Sequence, residues 1–126
     1  MSTIRAATIA FALSRLGFGV GLIAAPARLA SGWIGADAER PAVQIVLRGL
    51  GARDIAIAAG TLASLDDDDQ LAGWLVATIA ADLSDLAATL AAPSNKLPGN
   101  ARWGTVALAG SAAALGAELL SAVKTR

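Results

Sequence analysis

The chain has 126 residues and a formal net charge of zero, with ten Lys and Arg side chains against ten Asp and Glu. It contains no Cys, no His and no Tyr, which excludes thiol redox chemistry, iron–sulfur ligation, Cys nucleophiles and His-based zinc or haem sites. There is no basic tract to hold nucleic acid, so any chemistry must run on Asp, Glu, Arg, Ser, Thr or the backbone.

Hydrophobic residues make up 56% of the chain and the mean hydropathy is +0.61. A water-soluble bundle of Ala-rich helices needs a polar face on each helix, supplied with Lys and Glu. Here Lys occurs only at Lys96 and Lys124, and Glu only at Glu39 and Glu118. That leaves too little polar surface to cover the outside. The expectation is a multi-pass protein of the cell membrane, all-α, with residues 1–126 forming one domain in contact with the lipid bilayer.

In chain order, the first predicted span covers about residues 6–25. Arg5, the apolar run and Ala25-Pro26-Ala27 imitate a signal peptide. Arg15 interrupts the apolar core, however, and the segment reads as a retained span that Pro26 ends. Residues 27–34, with Arg28 and Trp33, read as a short interfacial helix, and 35–40 as a polar turn. The second span covers about 42–64, with Pro41 suited to its first turn. Asp66 to Asp69 follow as a solvated acidic loop, since no second, spaced acidic cluster completes a metal site. The third span covers about 71–92 and the fourth about 103–123, separated by the turn Pro93 to Asn100. The expected fold is a four-helix transmembrane bundle with a short interfacial helix after the first span. Both termini and the acidic loop then share one side. Arg5, Lys124 and Arg126 on that side, against Arg28, Arg40, Lys96 and Arg102 on the other, do not fix the orientation.

Each span carries an ionised side chain within its apolar stretch: Arg15; Arg48, Arg53 and Asp54; Asp82 and Asp85; and Glu118. Charges within the bilayer are expensive, so they face one another and mark functional sites. Residues three and four apart share a helix face. Thr78, Asp82, Asp85 and Thr89 therefore form one polar stripe, and Arg15 lies in line with Thr8, Ala12 and Gly19. Glu118 lies in line with Ser111, Ala114 and Ser121. In the second span Gln44, Arg48 and Gly51 share one face, Gly49, Arg53, Ala56 and Gly60 another, and Asp54 lies on a third. Three positive groups against four negative ones are what mutual pairing requires. The pairing can be structural, fixing the register of helices in lipid, or it can line a working cavity. A Gly17-x-x-x-Gly21 pattern marks either the face of a homo-oligomer or close packing within one unit.

Arg15-Leu16-Gly17 followed by Pro26, then Arg48-Gly49-Leu50-Gly51-Ala52-Arg53-Asp54 and Asp82-Leu83-Ser84-Asp85, resemble the small four-helix membrane proteins of high-GC bacteria, loosely the DoxX-like group. The resemblance runs over about residues 10–120 and implies a four-helix integral membrane bundle. That group's links with thiol redox assemblies do not carry over to a chain without Cys. The CDP-alcohol phosphotransferase pattern Asp-x-x-Asp-Gly-x-x-Ala-Arg also fails, because Leu86 and Ala87 follow Asp85.

Three functions fit this reading. In the first, Arg15, Arg48, Arg53, Thr78, Thr89 and Glu118 bind a small amphipathic or apolar ligand, or the site relays protons. In the second, Asp54, Asp82 and Asp85 are the catalytic carboxylates of a metal-independent acid–base enzyme, a hydrolase, isomerase or cyclase acting without a cofactor. The third is an accessory subunit in which the charges only hold helices together.

Overall fold

The computed structural model describes residues 2–126. They form five α-helices and two short 3-10 turns, with no strand among them. Helix α1 (Thr3–Ala24) starts at Ser2, whose side-chain oxygen accepts the Arg5 backbone N–H at 3.1 Å. This satisfies one of the donors that a helix N-terminus leaves without an intrahelical partner. Pro26 stops α1 and begins α2 (Pro26–Ile34), where its fixed φ suits the first turn. The chain leaves α2 through Gly35 at φ 74°, a left-handed conformation that glycine adopts without Cβ strain.

The expected polar turn over 35–40 is a 3-10 turn, Gly35–Glu39, that buries Ala38 completely. Helix α3 (Pro41–Ala63) again takes proline in its first turn. Helix α4 (Asp68–Ala91) begins earlier than the apolar pattern indicated. Asp67 caps it, with Oδ1 accepting the Gln70 backbone N–H at 3.0 Å. Asp68 and Asp69 occupy its first turn, where negative charge meets the positive end of the helix dipole. Half of the acidic run is therefore helix and not loop. After a 3-10 turn at Ser94–Lys96, α5 (Ala101–Lys124) completes the chain.

By length and composition, α1, α4 and α5 can each cross a membrane. Helix α3 is equally long, at 23 residues, but Arg48, Arg53 and Asp54 interrupt its apolar sequence. Many large apolar side chains lie on the outside. Ile45, Val46 and Leu108 are 72%, 69% and 73% exposed, so the helical unit presents an apolar exterior.

The helices pack as two pairs, α1 along α3 and α4 along α5, with much less contact between α3 and α4 and little between α1 and α5. The α1–α3 seam depends on two glycines. A Cβ at Gly51 would lie 2.6 Å from the Gly19 carbonyl oxygen, and one at Gly19 would lie 2.7 Å from that of Gly51. Without side chains the backbones meet directly, as small residues allow in lipid. Gly17 meets nothing within 4 Å, and Gly21 faces Leu29 of α2. Within this unit the close-packed pair is thus Gly19–Gly51, and Gly17 and Gly21 take no part in the α1–α3 seam. One apolar core, around Leu22, Ala30, Ala38 and Leu47, forms at the α2 end of the molecule. Another, around Leu71, Leu75, Leu119 and Val123, forms at the end bearing the termini. Between them, at mid-helix, lie the ionised side chains.

Candidate functional site

Five charged residues from three helices meet at mid-height: Arg15 of α1, Arg53 and Asp54 of α3, and Asp82 and Asp85 of α4. Arg15 reaches into the centre because its face, with Thr8, Ala12 and Gly19, is the buried face of α1. Its guanidinium donates from Nη1 to Asp54 Oδ1 at 2.9 Å and from Nη2 to Asp82 Oδ1 at 2.6 Å. The Arg15 side chain is 10% exposed, that of Asp54 4% and that of Asp82 9%. Charges this deeply buried stay in place only when paired.

Arg53 makes a two-toothed contact with Asp85, Nη1 to Oδ1 at 3.1 Å and Nη2 to Oδ2 at 2.9 Å. The planar guanidinium matches a carboxylate in this way and fixes its orientation. Arg53 also donates from Nε and Nη2 to Asp54 Oδ1, at 3.2 and 3.0 Å. Asp54 Oδ1 is thus the common acceptor for both arginines. Adjacent in sequence, Arg53 and Asp54 point around the helix so that one faces α4 and the other the centre.

Four of the other predicted residues lie apart from this cluster. Thr78 and Thr89 are buried on α4, in the stripe the spacing indicated. Each donates its hydroxyl to its own helix, Thr78 to Trp74 O at 2.9 Å and Thr89 to Asp85 O at 2.7 Å. Arg48 lies on the exposed side of α3 and donates to Ile23 O at 3.2 Å. Glu118 lies with Ser111, Ala114 and Ser121 on the exposed face of α5. The four-residue line on α5 is real, but it faces away from the other helices.

Beside the cluster, in the gap between α1 and α5, is a cavity of about 370 Å³. Arg15, Asp54, Asp82 and Asp85 line its inner end, and Phe11, Phe18, Leu29 and Leu108 its apolar walls. Phe18 and Leu108 are exposed on its rim, so it opens sideways between the helix pairs. Trp33 closes one end, its indole Nε1 donating to Thr89 Oγ1 at 3.0 Å. The bond ties the half-buried tryptophan, near the end of α2, to the last turns of α4. A shallower depression of about 490 Å³ adjoins it near Pro98 and Asn100, with no ionised group in its lining.

One oxygen of the cluster is left over. Asp82 Oδ2 is buried and has no hydrogen-bond partner among the described residues. Arg15 takes Asp82 Oδ1, both arginines converge on Asp54 Oδ1, and Arg53 takes both oxygens of Asp85. The site can accept one further hydrogen bond at a fixed position, beside an apolar chamber. The aromatic walls were not singled out from sequence, although Phe11 and Phe18 stand four before and three after Arg15 and so share its face.

No family model matches the chain, and no curated protein or solved structure matches it. The resemblance to the DoxX-like group gains no support from these comparisons.

Proposed function

We propose that this chain is a four-span integral membrane protein whose Arg/Asp cluster serves a cavity that binds a small amphipathic ligand from the bilayer. The observation that carries the reading is the cavity between α1 and α5, polar at its inner end and apolar along its walls. Ligand sites have this composition, mostly apolar surface with a few placed polar groups. Three apolar helices and an apolar exterior support the membrane setting. The fourth span follows if α3 crosses with Asp54 paired to Arg15 and Arg53 paired to Asp85, while Arg48 bonds the Ile23 carbonyl oxygen.

The acid–base alternative draws on the same free oxygen of Asp82, which could take a proton from a bound substrate. Binding comes first in either case. The test is photo-crosslinking in phosphatidylcholine vesicles with a twelve-carbon alkanol carrying a diazirine in its tail. Binding in the cavity labels the peptides bearing Phe18 and Leu108 well above that bearing Leu83, an exposed residue of α4 outside the cavity. Ala112→Leu, which fills the cavity from α5, reduces that labelling several-fold. Uniform labelling of all exposed faces, unchanged by Ala112→Leu, would sink the proposal.

A further inference from the structure

The charges of the cluster do not balance. Two guanidinium groups, Arg15 and Arg53, face three carboxylates, Asp54, Asp82 and Asp85. Helix α5 and α2 add no ionised group to the cavity: their lining residues are Leu29, Trp33, Thr105, Leu108, Ala109 and Ala112. The oxygen without a partner, Asp82 Oδ2, belongs to a carboxylate that lines this cavity and whose side chain is 9% exposed. By formal count the site thus has one more carboxylate than guanidinium groups, and Asp82 Oδ2 is a buried acceptor without a donor.

From this we infer that the ligand is a cation, a primary ammonium on a hydrocarbon chain, whose N–H donates to Asp82 Oδ2 while its tail lies along Phe11, Phe18 and Leu108. The inference rests on the proposed binding function and names its ligand class. Three arguments converge on it. An ammonium brings both what the cluster lacks in charge and what Asp82 lacks in hydrogen bonding. Phe11, Phe18 and Trp33 offer aromatic surface beside the carboxylates, and a desolvated cation gains from aromatic faces. A fatty acid would add a fourth carboxylate to three, and an alcohol would satisfy the hydrogen bond while leaving the charge. A metal ion would need several oxygen ligands together, and arginines already take Asp54 Oδ1, Asp82 Oδ1 and both oxygens of Asp85.

The same ammonium chemistry has two sources, a free alkylamine and the headgroup of phosphatidylethanolamine. The experiment is competition against the diazirine alkanol in phosphatidylcholine vesicles, using dodecylammonium, dodecanol and dodecanoate at matched membrane concentration. Dodecylammonium is expected to halve the labelling at a concentration at least tenfold below either of the others. A parallel series with phosphatidylethanolamine in the vesicles shows whether the lipid headgroup itself displaces the alkanol. Displacement by either ammonium source supports the inference and names the source.

Asp82→Asn keeps the shape and the Arg15 contact but removes the charge, and is expected to erase the preference, read as the ratio of the half-labelling concentrations of dodecylammonium and dodecanol. Should the variant lose all labelling through misfolding, the ranking in the unaltered chain decides. Equal potency of the three amphiphiles, or preference for dodecanol or dodecanoate, with no effect of phosphatidylethanolamine, overturns the cationic ligand and leaves cavity binding standing. Absence of alkanol labelling at Phe18 and Leu108 in the unaltered chain removes both.

Discussion

Gly19 and Gly51 differ from Gly17 and Gly49 only in what a methyl group would meet. At Gly19 and Gly51 it meets a backbone oxygen of the other helix, which cannot move aside alone; at Gly17 and Gly49 it meets nothing within 4 Å. Gly51→Ala is therefore expected to cost about 1–3 kcal/mol, as overpacking does, read from the thermal midpoint in detergent. Gly17→Ala should leave that midpoint unchanged or raise it slightly, because alanine favours helix. Arg15 is a second decisive residue. Replacing it by Met leaves Asp54 and Asp82 buried without this partner, with an expected loss of about 3–5 kcal/mol. Substituting Arg48, which lies exposed, should change the same unfolding curve far less. At this scale the sequence indicated that Arg15, Arg53, Asp54, Asp82 and Asp85 belong together, because spacing and cost both direct buried charges toward one another. It did not separate them from Arg48 and Glu118. Helical periodicity defines a face, and which neighbour that face meets depends on the packing angle, set here by the Gly19–Gly51 contact.

Among the elements, α4 has the most specific start. Asp67 accepts both the backbone N–H of Gln70 and, at 2.7 Å, its side-chain amide. The backbone bond first and then the side-chain bond hold the Asp67 carboxyl below the usual carboxylate range. A group whose folded pKa is lowered stabilises above its unfolded value and loses that contribution as pH falls through the folded one. With unfolded aspartate near about 3.9, the capping contribution is full at neutral pH and declines below about pH 4. Asp67→Asn retains a capping oxygen that does not titrate, so its stability should lack this acid-dependent component, measured as the difference between variant and unaltered midpoints across pH 3–7. Asp67→Ala should be the less stable variant at neutral pH. The boundaries of α4 were hard to read because hydropathy excludes Asp68 and Asp69, whereas capping and the helix dipole include them. Trp33 is a similar case: composition placed it on the short helix after the first span, but not its hydrogen-bond partner Thr89 on α4.

For the whole molecule, the helix order and the surface contacts place the chain ends together. Arg5 bonds Asp66 at 2.6 Å, and Arg126 bonds Asp68 through Nε at 3.1 Å. The chain has no natural Cys, so single introduced cysteines can report sidedness directly. Ser2→Cys, Asp69→Cys and Thr125→Cys should react with an impermeant maleimide from the same side of sealed vesicles, and Asn100→Cys from the opposite side. Reaction of Ser2→Cys and Asp69→Cys from opposite sides would break the four-span arrangement, which puts two crossings, α1 and α3, between them. The all-helical class and the number of long helices were legible because long apolar runs punctuated by proline leave few alternatives. The pairing of α1 with α3 and of α4 with α5 was not, since all four long helices offer Ala- and Gly-rich faces and no charge pattern distinguishes them.

The position of Asp54 has a consequence for how the protein is made. Its one oxygen receives both arginines, while the second tooth of Arg53 grips Asp85, which lies on a helix synthesised later. A charged residue at the centre of an inserting helix costs about 2.5–3.5 kcal/mol on biological insertion scales, and α3 carries two of them side by side. If α3 spans the bilayer as proposed, it leaves the translocation machinery incompletely neutralised and gains its remaining partner only when α4 arrives. Insertion of α3 should therefore be poor in a chain that stops after Leu65 and recover when α4 is present. It should fall again with Asp85→Ala, as scored by glycosylation tags during synthesis into microsomes. In this protein the decision to retain a span would be postponed until the following hairpin has been translated.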